Sequence, residues 1–250
     1  MVAIETPALA AATRSTLFDV AYVAEGVPGY ALQNPLKYET AFTGPLLADV
    51  PPYGTDKEFQ TRGEDTETKV FSTYLGLDDP LLRGAGAGSA ELEALFTAGE
   101  ALFVERKVQE LLLSPEAVDI TPTPGTPIKD LKVALGLLEQ WIATRYIHQP
   151  VITGNLLAVT MITEMQPPKL QTVSATPIGV AAGYGIDGPG AAAATATSAW
   201  LYISGQINIW KGQASVTNAP DLKGNRDLSL VEKSYAASID GPAAAILVGI

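Results

Sequence analysis

Few residues in this 250-residue chain have the type and spacing to do chemistry. Its single histidine, His148, lies between Ile147 and Gln149-Pro150. One imidazole cannot assemble a zinc site, and no carboxylate stands at a helical ligand spacing from it. With no cysteine in the sequence, disulfides, thiolate metal sites and cysteine nucleophiles are all excluded. Gly84-x-Gly86-x-Gly88 ahead of a helix resembles half of a dinucleotide fingerprint. No alternating strand–helix–strand pattern frames it, so a hinge leading into the helix is the better reading. P-loop, nucleophile-elbow and paired-histidine patterns do not occur. Glu100 and Glu105 stand out because both fall inside one long helical stretch. Two readings stay open for them: a solvated face, with Glu105 flanked by Arg106 and Lys107, or a pair of inter-subunit salt bridges. Trp200, Tyr202 and Trp210 read as sheet packing in preference to a ligand platform. The sequence thus names no catalytic residue, no cofactor and no metal, and the expectation is a protein that is not an enzyme.

The elements around these residues follow from pattern and punctuation. Residues 1–35 are mixed and weakly periodic, broken at Gly26, Pro28, Gly29 and Pro35, and read as an extended arm that needs something to lie on. From Ala41 to Gly88 short apolar runs alternate with turns. Within them Thr61 to Thr68 is polar and acidic, and Lys69 to Leu75 is rich in aromatic and β-branched residues, as a strand should be. A long hairpin-like excursion with a polar tip and little core of its own is expected. Ser89 then opens a helix with Glu91 and Glu93 in its first turn. Leu92, Leu95, Phe96, Leu102, Phe103, Val104, Val108, Leu111 and Leu112 follow helical spacing, and Pro115 closes it. About 25 residues at ~1.5 Å each make it roughly 37 Å long.

Beyond a Pro-rich link at Thr121–Pro127, Lys129–Tyr146 and Asn155–Met165 read as helices. Pro150–Thr153, Thr172–Ala182, Ala199–Ile203, Gln206–Trp210, Leu230–Ile239 and Ala243–Val248 read as strands, the last apolar enough to be buried on both faces. Gly183 to Ser198 is a loop by composition. The class is α+β.

Composition points the same way. Only 17% of residues are charged, which suits a chain that hides surface against copies of itself, and suits a large core equally. Residues 1–130 carry 20 acids and 9 bases, a balance of −11, whereas residues 131–250 carry 7 of each. Neither half offers the basic stripe that tight nucleic-acid binding requires, although an acidic wall can enclose DNA without gripping it. No apolar run reaches the ~18 residues of a membrane span, and Val2–Ala12 lacks the pattern of a signal peptide. Assembly in the cytoplasm is therefore expected, with no membrane partner.

Several segments together resemble the tailed-phage major capsid protein family, actinobacterial-phage type, with the Johnson (Hong Kong 97) fold shared by encapsulin shells. Leu137-Leu-Glu-Gln-Trp141 looks like the helix opening that family's axial domain, and Gln149-Pro-Val-Ile-Thr153 like the next strand. Thr176-Pro-Ile-Gly-Val-Ala-Ala-Gly-Tyr184 resembles a strand running into a Gly-Tyr loop, and Trp200–Gly205 with Ile207–Trp210 its paired strands. Asn225, Val231-Glu-Lys-Ser-Tyr-Ala236 and Asp240-Gly-Pro-Ala-Ala-Ala-Ile246 look like the closing stretch, with Lys233 where Arg is common and Gly241 where Cys is frequent. Gly99-Glu-Ala-Leu-Phe-Val-Glu105 resembles the spine helix.

The resemblance implies an arm over 1–40, an extended β-hairpin loop over 41–88, and a spine helix with the first part of a peripheral domain over 89–128. An axial domain over 129–222 and return strands over 223–250 complete it. It implies self-assembly into pentamers and hexamers of an icosahedral shell around double-stranded DNA, in the virion, with scaffold, portal and decoration proteins as further partners. An encapsulin-type compartment is the alternative, and an enzyme with an unrecognised site the remoter one. Inter-subunit contacts are implied at Lys57, Arg62, Glu64, Lys69, Glu100, Glu105, Arg106, Tyr184 and Asp187. Some members join a loop Lys to a neighbour's Asn, for which Lys57 and Lys69 are the candidates here, and most members do without.

Overall fold

A computed structural model describes residues 15–39, 65–80, 89–114, 117–162, 170–221 and 223–249. Lys57, Arg62, Glu64 and the Gly84-x-Gly86-x-Gly88 run lie outside the described residues. In chain order the elements are β1 (Tyr22–Val27), β2 (Lys37–Glu39), β3 (Asp65–Glu67), β4 (Lys69–Pro80), α1 (Ser89–Leu113), β5 (Ala117–Asp119), α2 (Leu131–Ala143) and β6 (Val151–Gly154). They continue with α3 (Leu156–Ile162), β7 (Ile178–Val180), β8 (Ser198–Ser204), β9 (Ile207–Gly212), β10 (Ser215–Asp221), β11 (Arg226–Ile239) and β12 (Ala243–Gly249).

The second sheet, ordered β5-β12-β8-β6-β7, sits between helices. Its central strands bury both faces, as the unbroken apolar run at 243–248 predicts. Ala243, Ala245, Leu247, Trp200 and Tyr202 face α1, with Val104, Val108 and Leu112 packed on them. Ala244, Ile246, Val248, Ala199, Leu201 and Ile203 face the other way, onto Leu138 and Ile142 of α2 and Ala158 and Val159 of α3. Asp130 caps α2 by accepting from the Lys132 and Val133 amides at 2.9 and 3.4 Å.

The first sheet is ordered β1-β9-β11-β10, with β4 along the opposite edge of β11. Strand β11 is its spine. Tyr235 pairs with Lys211 on one side and Phe71 on the other, and Arg226 pairs with Asp221 and Pro80. A small third sheet joins β2 to β3.

Three expectations change. First, the part of the expected arm that is described does not wait for another surface. β1 pairs in parallel with β9, and Leu17 and Leu32 are 0% and 2% exposed within the chain's own core. Second, of the strand expected over Thr172–Ala182 only Ile178–Val180 forms a strand, with Pro177 adding an isolated bridge to Gln171. Ahead of it the chain closes on itself, with Thr172 N donating to Thr176 O at 2.9 Å and Ala175 at φ +64°. The Thr172 and Ser174 hydroxyls donate to Glu139 instead of leaving the backbone to a ladder. Third, β10 has no counterpart among the expected strands, since Ser215–Asp221 has no apolar alternation and all seven residues are exposed. It forms as an edge strand because β11 offers it a template.

Deletion of residues 1–35 is therefore expected to destabilise the body by taking Leu17 and Leu32 out of its core, where an arm lying free of it would leave stability unchanged. Leu17→Ala and Leu32→Ala should each lower stability by about 3 kcal/mol, read as a lower urea midpoint at unchanged slope.

Candidate assembly surface

Helix α1 places polar side chains on its own buried face. Leu92, Phe96, Val104, Val108 and Leu112 recur at four- and eight-residue steps, and Glu100, Glu105 and Gln109 fall within the same stripe. Each answers a group that would otherwise be buried unpaired. Glu105, 1% exposed, accepts from the Leu17 amide at 3.1 Å with one oxygen and from the Gly183 amide at 2.7 Å with the other. The loop comes so close that a Cβ at position 183 would stand 2.3 Å from Leu102 O, so only glycine fits. Gln109 grips the same loop, accepting from the Gly185 amide at 2.6 Å and donating to Asp187 O at 3.1 Å.

Glu100 lies further up. One of its oxygens takes the Lys233 ammonium at 2.7 Å, the Tyr235 hydroxyl at 3.0 Å and Lys211 at 3.7 Å. Lys211 is itself buried, 3.8 Å from Glu25 and 3.5 Å above the Phe18 ring. Burial pushes the Glu100 carboxyl up, but Lys233 and Lys211 outweigh it and hold the group below its ordinary range. Burial pushes the Lys211 ammonium down, Lys233 adds to that, and Glu100 and Glu25 oppose it. Burial also raises the phenols of Tyr184, Tyr235 and Tyr202, the last to about 12.

The sequence expectations divide accordingly. Glu100 and Glu105 do not sit on a solvated face, because folding draws both oxygens of Glu105 and one of Glu100 onto partners in the same chain. Tyr184 is buried too, its hydroxyl 3.4 Å from Thr153 Oγ1. Asp187 is exposed, while its carbonyl is held by Tyr202 OH at 2.7 Å. Lys69 and Arg106 are exposed. Gln109, Lys211 and Lys233 carry as much of this network, and sequence reasoning does not single them out as contacts. A polar residue inside the apolar stripe of α1 is the signal for Gln109.

An open surface remains on the first sheet. Directly paired residues of antiparallel strands share a face. Val231 and Leu75 face α1, covered by Leu92 and Phe96. Tyr74 and Glu232, and likewise Leu228 and Asp78, face the other way. Along β4 exposure alternates residue by residue, and Tyr74 and Leu228 are 72% and 43% exposed. Asp78 and Arg226 form an ion pair on this face at 2.6 Å. Nothing on this ribbon converges like an active site, and among the described residues no three His, Cys, Asp or Glu side chains gather to hold a metal. A cleft of about 550 Å³ beside the end of α1 is lined by Glu67, Lys69 and Leu111, among others, and Glu67 is drawn to Lys37 at 3.6 Å. No described helix is long and apolar enough to cross a membrane.

The sequence matches no known family and no curated protein. Its three-dimensional form does have counterparts. The capsid of a native GTA particle superposes with a TM-score of 0.62 at 10% identity, over 100% of this chain and 96% of that one. The chain has the Johnson fold. The match to Mycobacterium phage Che8 has a TM-score of 0.57 at 10% identity, over 98% and 96% of the two chains. An encapsulin complex from Synechococcus elongatus gives 0.51 at 9% identity, over 98% and 91%. At 25 residues, α1 is the longest helix among the described residues.

Two outcomes follow. A carboxyl depressed by folding stabilises the fold above its ordinary value of 4.5 and loses that contribution as the pH falls through its folded value. Glu100→Gln should therefore lower stability on the order of 2 kcal/mol at neutral pH, and the deficit should shrink in urea melts taken well below pH 4.5. Phenols raised by folding contribute stability that is whole below their ordinary value of 10 and is lost above it. Of the nine tyrosines, at least Tyr184, Tyr202 and Tyr235 should gain tyrosinate absorbance only as the chain unfolds in alkali.

Proposed function

We propose that this chain is a shell-forming subunit, the major capsid protein of a tailed phage. The observation that carries the reading is the whole-length match in fold to the capsid of a native GTA particle. Pentamers and hexamers of the chain would tile an icosahedral shell around double-stranded DNA, assembled in the host cytoplasm and carried in the virion. Scaffold, portal and decoration proteins are its further partners in this reading. The first sheet with α1 would form the peripheral domain, and residues 129–204 with β12 most of the axial domain, so that β9 and β10 pass from the axial part expected over 129–222 to the peripheral one. The loop over 41–88 would reach across neighbours.

The chemistry of the surface supports it. The acidic balance of −11 sits well with a wall that encloses DNA without binding it. The open ribbon face, with Tyr74 and Leu228 beside the Asp78–Arg226 pair, mixes apolar and charged groups as weak reciprocal contacts between copies do. Symmetric closure turns many such contacts into one stable particle. No enzymatic role enters, since the carboxylates of the α1 stripe are held by structural partners.

A compartment shell with a protein cargo is the second reading, favoured by the encapsulin match and by that to a virus-like particle from Pyrococcus furiosus, with a TM-score of 0.54 at 11% identity. Negative-stain electron microscopy of the purified chain should show closed shells or rings of five or six. Nuclease-protected DNA within native particles would assign the phage, and a packaged protein the compartment. Leu228→Lys, which puts no like charge opposite Asp78, should change the unfolding free energy by no more than about 0.5 kcal/mol while leaving only free subunits. A monomer or dimer that persists at high concentration with a scaffold supplied would overturn the proposal.

A further inference from the structure

The chain passes between its two large sheets at two adjacent turns. One joins β8 to β9 and the other β11 to β12, and they are hydrogen-bonded to each other, Asp240 N donating to Gln206 O at 2.8 Å. Tyr146 steadies the pair, its hydroxyl accepting from the Gln206 amide at 3.2 Å. A third passage follows α1, where β5 joins β12. Strands β1 and β7 are the outer strands on the same side of the paired turns, one in each sheet. Residues 16–32 run between them.

This segment touches every body it passes. The Leu17 amide is held by Glu105 of α1, and the Phe18 ring lies under the Lys211 ammonium of β9. Val20 lies against β7, where a Cβ on Gly179 would stand 2.4 Å from Val20 Cγ2. Tyr22, Val23 and Ala24 then pair with Asn208, Ile209 and Trp210 of β9, and Leu32 comes to rest beside Gly212. Between Ala24 and Val27 the register shifts, with Gly26 at φ +70°. One short stretch of chain is thus anchored to the helix, to the edge of one sheet and to the edge of the other.

We infer that residues 16–32 are a strap that holds the two sheets at one angle, with the Val20–Gly179 contact as its catch. The strap lies at the edge of both sheets, and edge segments open at lower free energy than the strands behind them. Opening it leaves the two sheets joined through the paired turns and α1, free to rotate about them. This property belongs to the single subunit and holds whether or not the chain builds shells.

The test exploits the tightness of the catch. Gly179→Ala puts a methyl where Val20 lies, and adding Val20→Ala makes room for it again. Because the sequence has no cysteine, Val133→Cys on α2 and Thr217→Cys on β10 can carry spin labels that report the distance between the two sheets. In Gly179→Ala, amide exchange over residues 17–24 should rise at least tenfold while β8 and β12 keep their protection, and the label distance should broaden. The double variant should restore both. Unchanged exchange would overturn the inference, as would exchange in β8 and β12 rising in step, which would make the segment ordinary core. A label distance that stays narrow with the segment open would overturn it as well. Should Gly179→Ala fail to fold, Phe18→Ala replaces it: exchange over 17–24 and the label distance should move in the same directions, and the same three results would overturn the inference.

Discussion

Everything else in this fold depends on the burial of Glu105. A carboxylate taken out of water needs its lone pairs answered, and the groups that answer this one come from distant parts of the chain. The Leu17 amide is 88 residues before it and the Gly183 amide 78 residues after it. Had the stripe of α1 been wholly apolar, both amides would have met a surface unable to accept from them. The helix is thus more than a greasy rod laid across two sheets: it carries acceptors at the places where irregular chain must enter the core.

The same logic explains the residues around it. Small side chains at Ala243 and Ala245 let α1 approach the second sheet, while Tyr202 fills the wider gap and turns its hydroxyl to the Asp187 carbonyl. Lys211 and Lys233 share Glu100, which brings two strands and the helix to one carboxylate. Close packing sets the distances, and the polar stripe then decides which segments may occupy them.

Much of this is legible in the sequence, and what is not has physical reasons. The apolar run at 243–248 and the four-residue beat of α1 are strong periodic signals, and both elements form where those signals lie. The strand β1 gives none, because it is a parallel edge strand interrupted by Gly26, and its burial comes from the turns that flank it. β10 owes its existence to β11 alone. Glu100 and Glu105 are conspicuous in the sequence, yet their role is not, since partners 133 and 88 residues away leave no mark on local pattern. Gln109 is open to detection as a polar residue on an apolar face.

Strand β11 holds 14 residues, of which Tyr235–Ile239 pair with β9 inside the core while Arg226–Glu232 run out along the open ribbon. One continuous backbone therefore joins the outermost turn to the centre of the molecule. A pull applied at residues 223–225 acts along the strand axis, so the ladder to β4 is loaded in shear, with its hydrogen bonds sharing the force instead of parting one by one. The ribbon is built like a tie-rod, stiff against stretching and compliant only to bending across its thin face.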